Sequence, residues 1–309
     1  MEAVSTLKMD RIEWLQLRKS GIGGSDASAI LGFNRWKSAF QLFIEKTSEM
    51  VEEIDNEFVY WGNVLEDIVA QEFARRTRKK VQRVNRMLRH PDYQFMIANL
   101  DRRIVGERAI LECKTTSTYN KDAWEGDEVP AAYICQLQHY LAVTGFEKAY
   151  IAVLIGGNTF VWKEVARDDE FIELMIEREK DFWHNHVLAN VPPAIDGSSS
   201  VSEFLAKMFP QDDGSAIMLD EQMNTLIEAI ESLKSEEKQL ENQRKEYENQ
   251  LKIKLGEAVE GYSNRFKVTY KTITTNRIDS KRLKEEQPEL YKKYCNRSLS
   301  RRLSIKEAN

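Results

Sequence analysis

The segment from residue 98 to residue 117, ANLDRRIVGERAILECKTTS, places charged side chains inside what otherwise reads as a buried β-hairpin. Apolar runs at 94–100 and 109–111 predict two strands, and the letters VGER predict the turn between them. Because strand side chains alternate between the two faces of a sheet, Glu112 and Lys114 share one face and Cys113 points to the other. Asp101 arrives from the neighbouring strand, so two carboxylates and an ammonium are expected in one pocket.

These charges suit the hydrolysis of a phosphodiester with the help of a hard cation. Carboxylate oxygens are the ligands that Mg²⁺ prefers, and a lysine can position a water and offset developing negative charge. The alternative is a solvated ion pair, which is common for a glutamate and a lysine two residues apart on an exposed strand. Glu66, beside the apolar stripe of a helix predicted at 60–77, could reach the same metal or remain solvated.

Composition limits the class of protein. With 42% hydrophobic and 31% charged residues among 309, the chain can form one sizeable domain with an appendage, or two domains. It has no apolar run of about 18 residues and no basic-then-apolar start, so we expect a cytoplasmic protein with no membrane span. Cys113, Cys135 and Cys295 lack a CxxC spacing, which predicts neither a disulfide framework nor a thiolate zinc site.

The charges are sorted along the chain. The net charge of −5 argues weakly against a nucleic-acid partner, but residues 75–89 carry eight basic residues and no acidic one. Residues 265–307 carry thirteen basic against five acidic residues, whereas residues 220–260 carry six basic against eleven acidic ones. The first basic run is either a solvated helix end or a surface for the DNA backbone, and we favour the second interpretation. Its candidate contacts are Arg75, Arg76, Arg78, Lys79 and Lys80.

Helical and strand patterns alternate over the first 190 residues and predict one α/β domain. Helices are expected at 10–19, 25–31, 39–46, 60–77, 131–143 and 168–187, and strands at 93–100, 109–114, 148–155 and 159–165. Two prolines, a glycine and a serine run after residue 190 predict a linker, placed at 191–216. Residues 217–309 are then a C-terminal domain with helical and small α/β parts, suited to oligomer, partner or DNA contacts.

The first part of that C-terminal domain has a heptad-like pattern from Leu219 to Leu255. Glu237 and Arg244 interrupt one column of the repeat. The pattern therefore favours a two-helix hairpin, or a helix packed on its neighbour, over a sustained coiled coil.

Four stretches together resemble one known family. They are RKSGIGGSDASAILGFNRW near the start, WGNVLED on a helix, ANLDR followed by LECK, and CQLQHYLAVTG. The chain resembles the lambda-exonuclease or YqaJ-like viral recombinase family, which comprises alkaline exonucleases of phages and prophages within the PD-(D/E)xK nucleases. The resemblance implies a restriction-endonuclease-like core, in which helices flank a central mixed sheet.

The resemblance also implies roles for individual residues. Asp101 and Glu112 correspond to the metal-binding carboxylates, with the backbone carbonyl of Cys113 completing the inner shell, and Lys114 corresponds to the catalytic lysine. The remaining implied site residues are Glu66 near a second metal and Gln136 near the attacking water. Gln138, on the same helix, is either catalytic or a buried glutamine that satisfies backbone groups.

The N-terminal glycine-rich stretch reads by itself as an ordinary capped helix start. In the family this region receives the 5′-phosphorylated DNA end, and by position Arg18 and Ser25 would contact it. Asp26 would repel phosphate and is assigned to structure. The chain departs from the family where relatives often have proline before and glycine after the aspartate, since it has Leu100 and Arg102 there.

The function implied is a Mg²⁺- or Mn²⁺-dependent 5′→3′ exonuclease acting on linear double-stranded DNA with one or two ions per active site. Its 3′ overhangs would feed a RecT/Bet-like single-strand annealing protein in phage-type recombination. The resemblance further implies a trimeric ring, in the cytoplasm of a bacterial host. Two alternatives remain at this stage: a structure-specific or nicking endonuclease on the same core, and an inactive DNA-binding module.

Overall fold

A computed structural model describes residues 2–48, 56–296 and 299–306, in two compact units, Met1–Lys207 and Met208–Asn309. In the first unit the helices are α1 (Arg11–Lys19), α2 (Gly24–Ile30), α3 (Ala39–Thr47), α4 (Glu57–Thr77), α5 (Ala131–Thr144), α6 (Asp169–Asp181) and α7 (Ser199–Met208). The strands are β1 (Glu2–Ser5), β2 (Ile22–Gly23), β3 (Val81–Arg83), β4 (Arg86–Arg89), β5 (Met96–Asn99), β6 (Arg102–Ile104), β7 (Ala109–Thr116), β8 (Lys148–Ile155) and β9 (Thr159–Ala166). A 3₁₀ segment, Thr118–Trp124, follows β7, and a π-helical segment, Phe182–Leu188, extends α6.

These strands form two sheets. One has the order β1-β4-β5-β2, and the other has the order β3-β6-β7-β8-β9. In the second sheet β7 and β8 are parallel and the other pairs are antiparallel. Two parallel neighbours need a crossover connection, and α5 lies within it. The predicted α/β class with a mixed sheet is confirmed.

The strand β8, KAYIAVLI, shows how the five-stranded sheet is covered on both faces. Its residues Ala149, Ile151 and Val153 pack into a core cluster that includes α5 and α6, whereas Tyr150 and Ala152 pack into a second cluster built on α4. A strand that is apolar at every position is expected where both faces are buried. The same alternation places Glu112 on the α5 side of β7.

The predicted hairpin around residues 94–111 is wrong in its first strand. The turn lies where it was expected, but β7 pairs with the short β6, in the register Arg102↔Leu111. The apolar run of β5 belongs to the other sheet, where it pairs with β4 and β2. Asp101 therefore lies at the corner where the chain passes from one sheet to the other, and not on a strand adjacent to β7.

The segment predicted as a linker contains α7, in which Ser200 and Val201 are buried. Phe204 of this helix packs edge-on against Phe40 of α3, with ring centroids 6.3 Å apart. The division into functional domains remains a prediction. No helix among the described residues is both long and apolar enough to cross a membrane.

The second unit begins with one continuous helix, α8 (Glu221–Leu255), of 35 residues. The predicted two-helix hairpin is therefore wrong, since the pattern continues through Glu237 and Arg244 without a turn. A small hairpin of β10 (Glu260–Tyr262) and β11 (Lys267–Thr269) follows, and then the short helices α9 (Ser280–Glu286) and α10 (Pro288–Tyr294).

Candidate active site

The two charges of β7 meet on the sheet face that α5 covers. The Nζ atom of Lys114 lies 2.7 Å from Oε1 of Glu112, as their spacing of two residues predicts. Glu112 is only 4% exposed. Lys114 reaches past the ring of Tyr133, whose centroid is 5.4 Å from Nζ. The glutamate is therefore inside the protein, which a solvated surface pair would not be.

Asp101 approaches this pair from the corner between the two sheets. Its Oδ2 atom accepts a hydrogen bond of 2.8 Å from the backbone N–H of Cys113. The β6–β7 ladder stops at Leu111, so this N–H has no strand partner and is available to the carboxylate. Because the N–H and C=O of one strand residue point to the same side, the Cys113 carbonyl also faces the Asp101 side.

The charged groups of the site shift one another's pKa values. Burial and the nearby Glu112 carboxylate raise the pKa of Asp101 well above its usual value, against the opposing effect of Lys114. Burial alone would lower the pKa of Lys114, but Glu112 and Asp101 outweigh it and raise that pKa. Lys114 is thus an ammonium at neutral pH. The raised pKa of Asp101 reflects the cost of placing two carboxylates beside a single lysine, and a further cation in the pocket would offset that cost.

The second oxygen of Glu112 supports the same conclusion. Oε2 is buried and accepts no hydrogen bond from any residue in the described chain, which is costly for a carboxylate. Side chains of His, Cys, Asp and Glu do not form a closed three-ligand metal cluster within 2–48, 56–296 and 299–306. Two carboxylates and one backbone carbonyl nevertheless form a donor set of hard oxygens, which suits Mg²⁺ or Mn²⁺ with water completing the shell.

The thiol of Cys113 does not belong to the reactive set. Burial, followed by the Asp101 and Glu112 carboxylates, raises the pKa of this thiol far above its usual value. A nucleophilic cysteine needs a lowered pKa. Only the backbone of Cys113 is therefore suited to the site.

Gln136 connects the site to α5, which is buried continuously from Cys135 to Val143. Its Nε2 atom donates to Glu112 Oε1 at 2.7 Å and contacts the Tyr140 hydroxyl at 3.1 Å. Gln138, on the other side of the helix, donates to the carbonyl of Ala166 at 2.7 Å and accepts from the N–H of Asp168 at 3.0 Å. Gln138 thus satisfies backbone groups, and Gln136 is the glutamine at the site.

Gly24 allows the N-terminal glycine-rich stretch to pack against α5 beside Gln136. A Cβ on Gly24 would lie 2.5 Å from Cε1 of Tyr140 and 3.0 Å from the carbonyl oxygen of Gln136, so a larger residue would push α2 and α5 apart. Next to it, Nη2 of Arg18 lies 3.0 Å from the hydroxyl oxygen of Ser25. The two residues predicted to bind a 5′-phosphate are therefore in contact with each other. Ser25 directly follows Gly24, which lies against the Tyr140 ring, and the hydroxyl of Tyr140 contacts Gln136.

Asp26 has a structural environment. Its carboxylate accepts a hydrogen bond from the N–H of Gly23 at 3.0 Å and forms a buried ion pair of 2.8 Å with Lys46. Burial alone would raise the pKa of Asp26, but Lys46 and Arg18 outweigh it and hold that pKa far below its usual range. Its negative charge is thus compensated before any phosphate approaches.

Glu66 lies at the edge of the site and is held by an arginine that the sequence analysis did not assign. Arg102 is 4% exposed, and its Nη1 atom lies 2.6 Å from both Glu66 Oε1 and the carbonyl oxygen of Asp101. The Glu66 carboxylate also contacts Arg83 at 3.3 Å. Arg102, which stands where relatives often have glycine, thus fixes Glu66 beside Asp101. The only signal in the sequence was the arginine itself, which follows the aspartate in place of that glycine.

Three of the five candidate DNA contacts already have carboxylate partners. Arg75 and Arg76 pair with Glu72 at 2.8 and 2.6 Å, and Lys79 pairs with Glu107 at 2.5 Å. Arg78 and Lys80 are exposed, and Arg78 ends α4 in a left-handed conformation with φ 58°. The role of this run in DNA contact remains a prediction.

Comparisons with known proteins agree with this geometry. The family model for the YqaJ-like viral recombinase domain matches residues 13–147. The YqaJ protein of Bacillus subtilis (strain 168) is 47% identical over 306 residues, which is 98% of this chain and 96% of that protein. A crystal structure of an alkaline exonuclease from Laribacter hongkongensis matches with a TM-score of 0.50 at 17% identity, covering 64% of this chain and 100% of that chain. The same enzyme in complex with dAMP matches with a TM-score of 0.50 at 18% identity, over 64% and 97% of the two chains.

Proposed function

The chain belongs to the YqaJ-like viral recombinase family, and from this premise we propose that it is a Mg²⁺- or Mn²⁺-dependent exonuclease that degrades one strand of linear double-stranded DNA from its 5′ end. The general class, a DNA nuclease, agrees with the family and with the alkaline exonuclease fold. The direction, the ion and the products are the specific parts of the proposal. Two observations support it best: Asp101, Glu112 and Lys114 lie together, and the buried Oε2 atom of Glu112 has no hydrogen-bond partner among the described residues.

Each residue has a defined task in this proposal. Asp101, Glu112 and the Cys113 carbonyl would hold a cation, and Glu66 would lie near a second one. A cation bound there would polarise the scissile phosphate and lower the pKa of a water molecule. Lys114, as an ammonium, holds the attacking water and opposes the growing negative charge. Gln136 fixes Glu112 through its hydrogen bond of 2.7 Å.

The contact between Arg18 and Ser25 supports a preference for 5′-phosphorylated ends. An arginine and a hydroxyl can both donate to a phosphate oxygen, and the guanidinium matches phosphate geometry. Gly24, which precedes Ser25, lies against Tyr140 and Gln136, and this supports an end-binding pocket next to the catalytic carboxylates. This arrangement would place the terminal phosphate and the scissile bond in one continuous site.

The remaining parts of the proposal follow from the family. Removal of the 5′ strand would leave 3′ overhangs, which are the substrate for a RecT/Bet-like single-strand annealing protein. A trimeric ring around the duplex would keep the enzyme on its substrate.

The proposal is tested with three substrates in the presence of Mg²⁺ or Mn²⁺. They are a linear duplex with 5′-phosphates, the same duplex with 5′-hydroxyls, and a covalently closed circle. We expect loss of the phosphorylated linear DNA, no change in the circle, and no activity in EDTA. Cutting of the circle would instead identify an endonuclease, and activity in EDTA would contradict the metal site.

Replacement of Arg18 by alanine should remove the preference for phosphorylated ends. One charge-assisted hydrogen bond contributes about 1.5–3 kcal/mol, so the ratio of rates on 5′-phosphate and 5′-hydroxyl ends should fall roughly tenfold or more. Arg11→Ala is the matched control, because Arg11 and Arg18 both stack on Trp14, at 4.7 and 5.0 Å. An equal loss on both kinds of end would refute the end-binding role.

A further inference from the structure

The helix α8 presents an apolar stripe along its length. None of its 35 residues is buried in the part of the chain that the structure describes. Leu226, Leu233, Leu240 and Tyr247 follow one another at intervals of seven residues and are 57%, 64%, 65% and 65% exposed. A second column, three residues before these, contains Met223, Ile230, Glu237, Arg244 and, at the end, Leu251.

We propose that this stripe is the contact surface for α8 of a second copy of the chain, packed antiparallel as a two-stranded coiled coil. Alternating spacings of three and four residues over more than four heptads are the pattern of such a pair. A helix of 35 residues is about 52 Å long, so the stripe is too extensive to stay in water without a partner. This proposal stands independently of the nuclease activity and of the trimeric ring, because α8 lies outside residues 13–147, which the family model matches, and its pairing would join copies from different rings.

The charges on the stripe argue against a parallel pair. In a parallel pair each residue of the stripe faces its own copy, so Glu237 would meet Glu237 and Arg244 would meet Arg244. At the flanks, Glu236 of each helix would face Glu241 of the other. Like charges in such positions repel, and two of these contacts would also be desolvated.

The antiparallel arrangement removes the direct contacts between like charges, because Glu237 and Arg244 each face a leucine of the second copy. In the register that gives the two helices their greatest overlap, Leu226 packs beside Leu251 of the second copy. Glu237 then lies opposite Leu240 of the second copy. Arg244 of the second copy lies in the layer on one side of it, and Glu237 of the second copy lies in the layer on the other side. At the flanks, Lys234 of each helix faces Glu241 of the other, so the symmetry produces two attractive pairs.

The contacts within the single chain are compatible with this pairing. Lys234 pairs with Glu231 at 2.8 Å, and Oε1 of Glu241 pairs with Lys245 at 2.7 Å, both on the exposed surface. A carboxylate accepts several hydrogen bonds, so Glu241 can bind Lys245 and a lysine of the second copy together. Arg244 has a partner on its own helix, Glu248 at 2.5 Å, which limits the cost of its position in the stripe.

Disulfide cross-linking of the full chain distinguishes the orientations. The exposed Cys295 is first replaced by serine, and Leu226→Cys and Leu251→Cys are made as separate variants on that background. In the proposed register two copies of residue 226 are roughly 37 Å apart, so neither variant alone should form a dimer on oxidation. An equal mixture should form a disulfide-linked dimer containing one of each. Dimers from either variant alone, or no dimer in the mixture, would overturn the proposal.

Charge reversal provides a second, independent measurement by analytical ultracentrifugation. Glu241→Lys places two lysine pairs across the antiparallel interface and should weaken the dimer roughly tenfold. The double variant Lys234→Glu with Glu241→Lys restores both pairs and should restore the original dissociation constant. In a parallel pair Glu241→Lys would instead face Glu236 and tighten the dimer, which would contradict the antiparallel arrangement.

Discussion

Replacement of Lys114 by alanine should reduce hydrolysis of linear duplex by about a hundredfold to a thousandfold, and replacement of Glu112 should abolish it. Removal of one preorganised electrostatic donor from an active site usually costs this much in rate. Glu112 has a larger expected effect because it would bind the cation and also contacts Lys114 and Gln136. The measurement is the initial rate on 5′-phosphorylated linear DNA, with circular dichroism to verify the fold.

Lys148→Ala is the matched control for this prediction. Lys148 lies at the start of β8, where it faces Ala109, whereas Lys114 faces Val153 further along the same strand pair. Its carboxylate partners, Glu107 and Glu164, are 3.5 and 3.6 Å away and lie outside the site. The control should keep the parent rate. Near-normal turnover in a folded Lys114→Ala or Glu112→Ala variant would refute the catalytic assignment.

Binding of Mn²⁺ separates the two roles within the site. Calorimetry should show that Glu112→Ala and Asp101→Asn lose affinity for the ion, because each removes a proposed ligand. Lys114→Ala should retain the ion or bind it more tightly, since the variant removes a competing positive charge. Loss of binding in all three variants, with the fold intact, would contradict a separate electrostatic role for Lys114.

The sequence predicted the contact between Glu112 and Lys114 because a strand period of two is a local property. It could not predict the route by which Asp101 arrives. The apolar run before Asp101 reads as one arm of a hairpin, yet β5 and β6 belong to different sheets. The strand β5 pairs with β4, which lies just before it in the chain, and with β2, which lies far towards the N-terminus. The local pattern of β5 records neither choice.

Arg102 illustrates a second limit. At the level of sequence it was a departure from the family pattern, whereas in the structure it binds Glu66, Asp67 and the carbonyl of Asp101. A buried arginine is recognisable only when its partners on another element are known. The length of α8 was misjudged for a related reason, since Glu237 and Arg244 read as breaks in a stripe although both are compatible with a continuous helix.

The buried ion pair of Asp26 and Lys46 could not be predicted from the sequence either. Its removal should have the largest effect on the stability of the fold. The side chains are 4% and 6% exposed, and Nζ of Lys46 also donates to the carbonyl oxygens of Arg18 and Gly21 at 3.0 and 2.6 Å. Burial disfavours both charges. For Asp26, the nearby cations outweigh burial and lower the pKa of the carboxyl group. For Lys46, burial outweighs the attraction of Asp26 and lowers the pKa of the ammonium group.

Lys46→Met should therefore lower the free energy of unfolding by about 3 kcal/mol or more, measured by urea denaturation. The substitution keeps the apolar bulk but leaves Asp26 buried with the more distant Arg18, at 3.8 Å, as its ion-pair partner, and it removes the donor from two carbonyls. Breaking one partner of a buried pair usually costs about 3–5 kcal/mol. A loss of this size is a large fraction of the stability of most domains.

Lys37→Met is the matched control. Lys37 pairs with Glu45, which like Lys46 belongs to α3, but the two side chains of this pair are 25% and 36% exposed. A pair of this kind contributes less than about 1 kcal/mol. Adding Asp26→Asn to Lys46→Met should recover part of the loss, because it removes the uncompensated charge while an amide can still accept from Gly23. If Lys46→Met cost no more than Lys37→Met, the ion pair would not hold Arg18 and the helix start in place. The preference for 5′-phosphorylated ends would then need another structural basis.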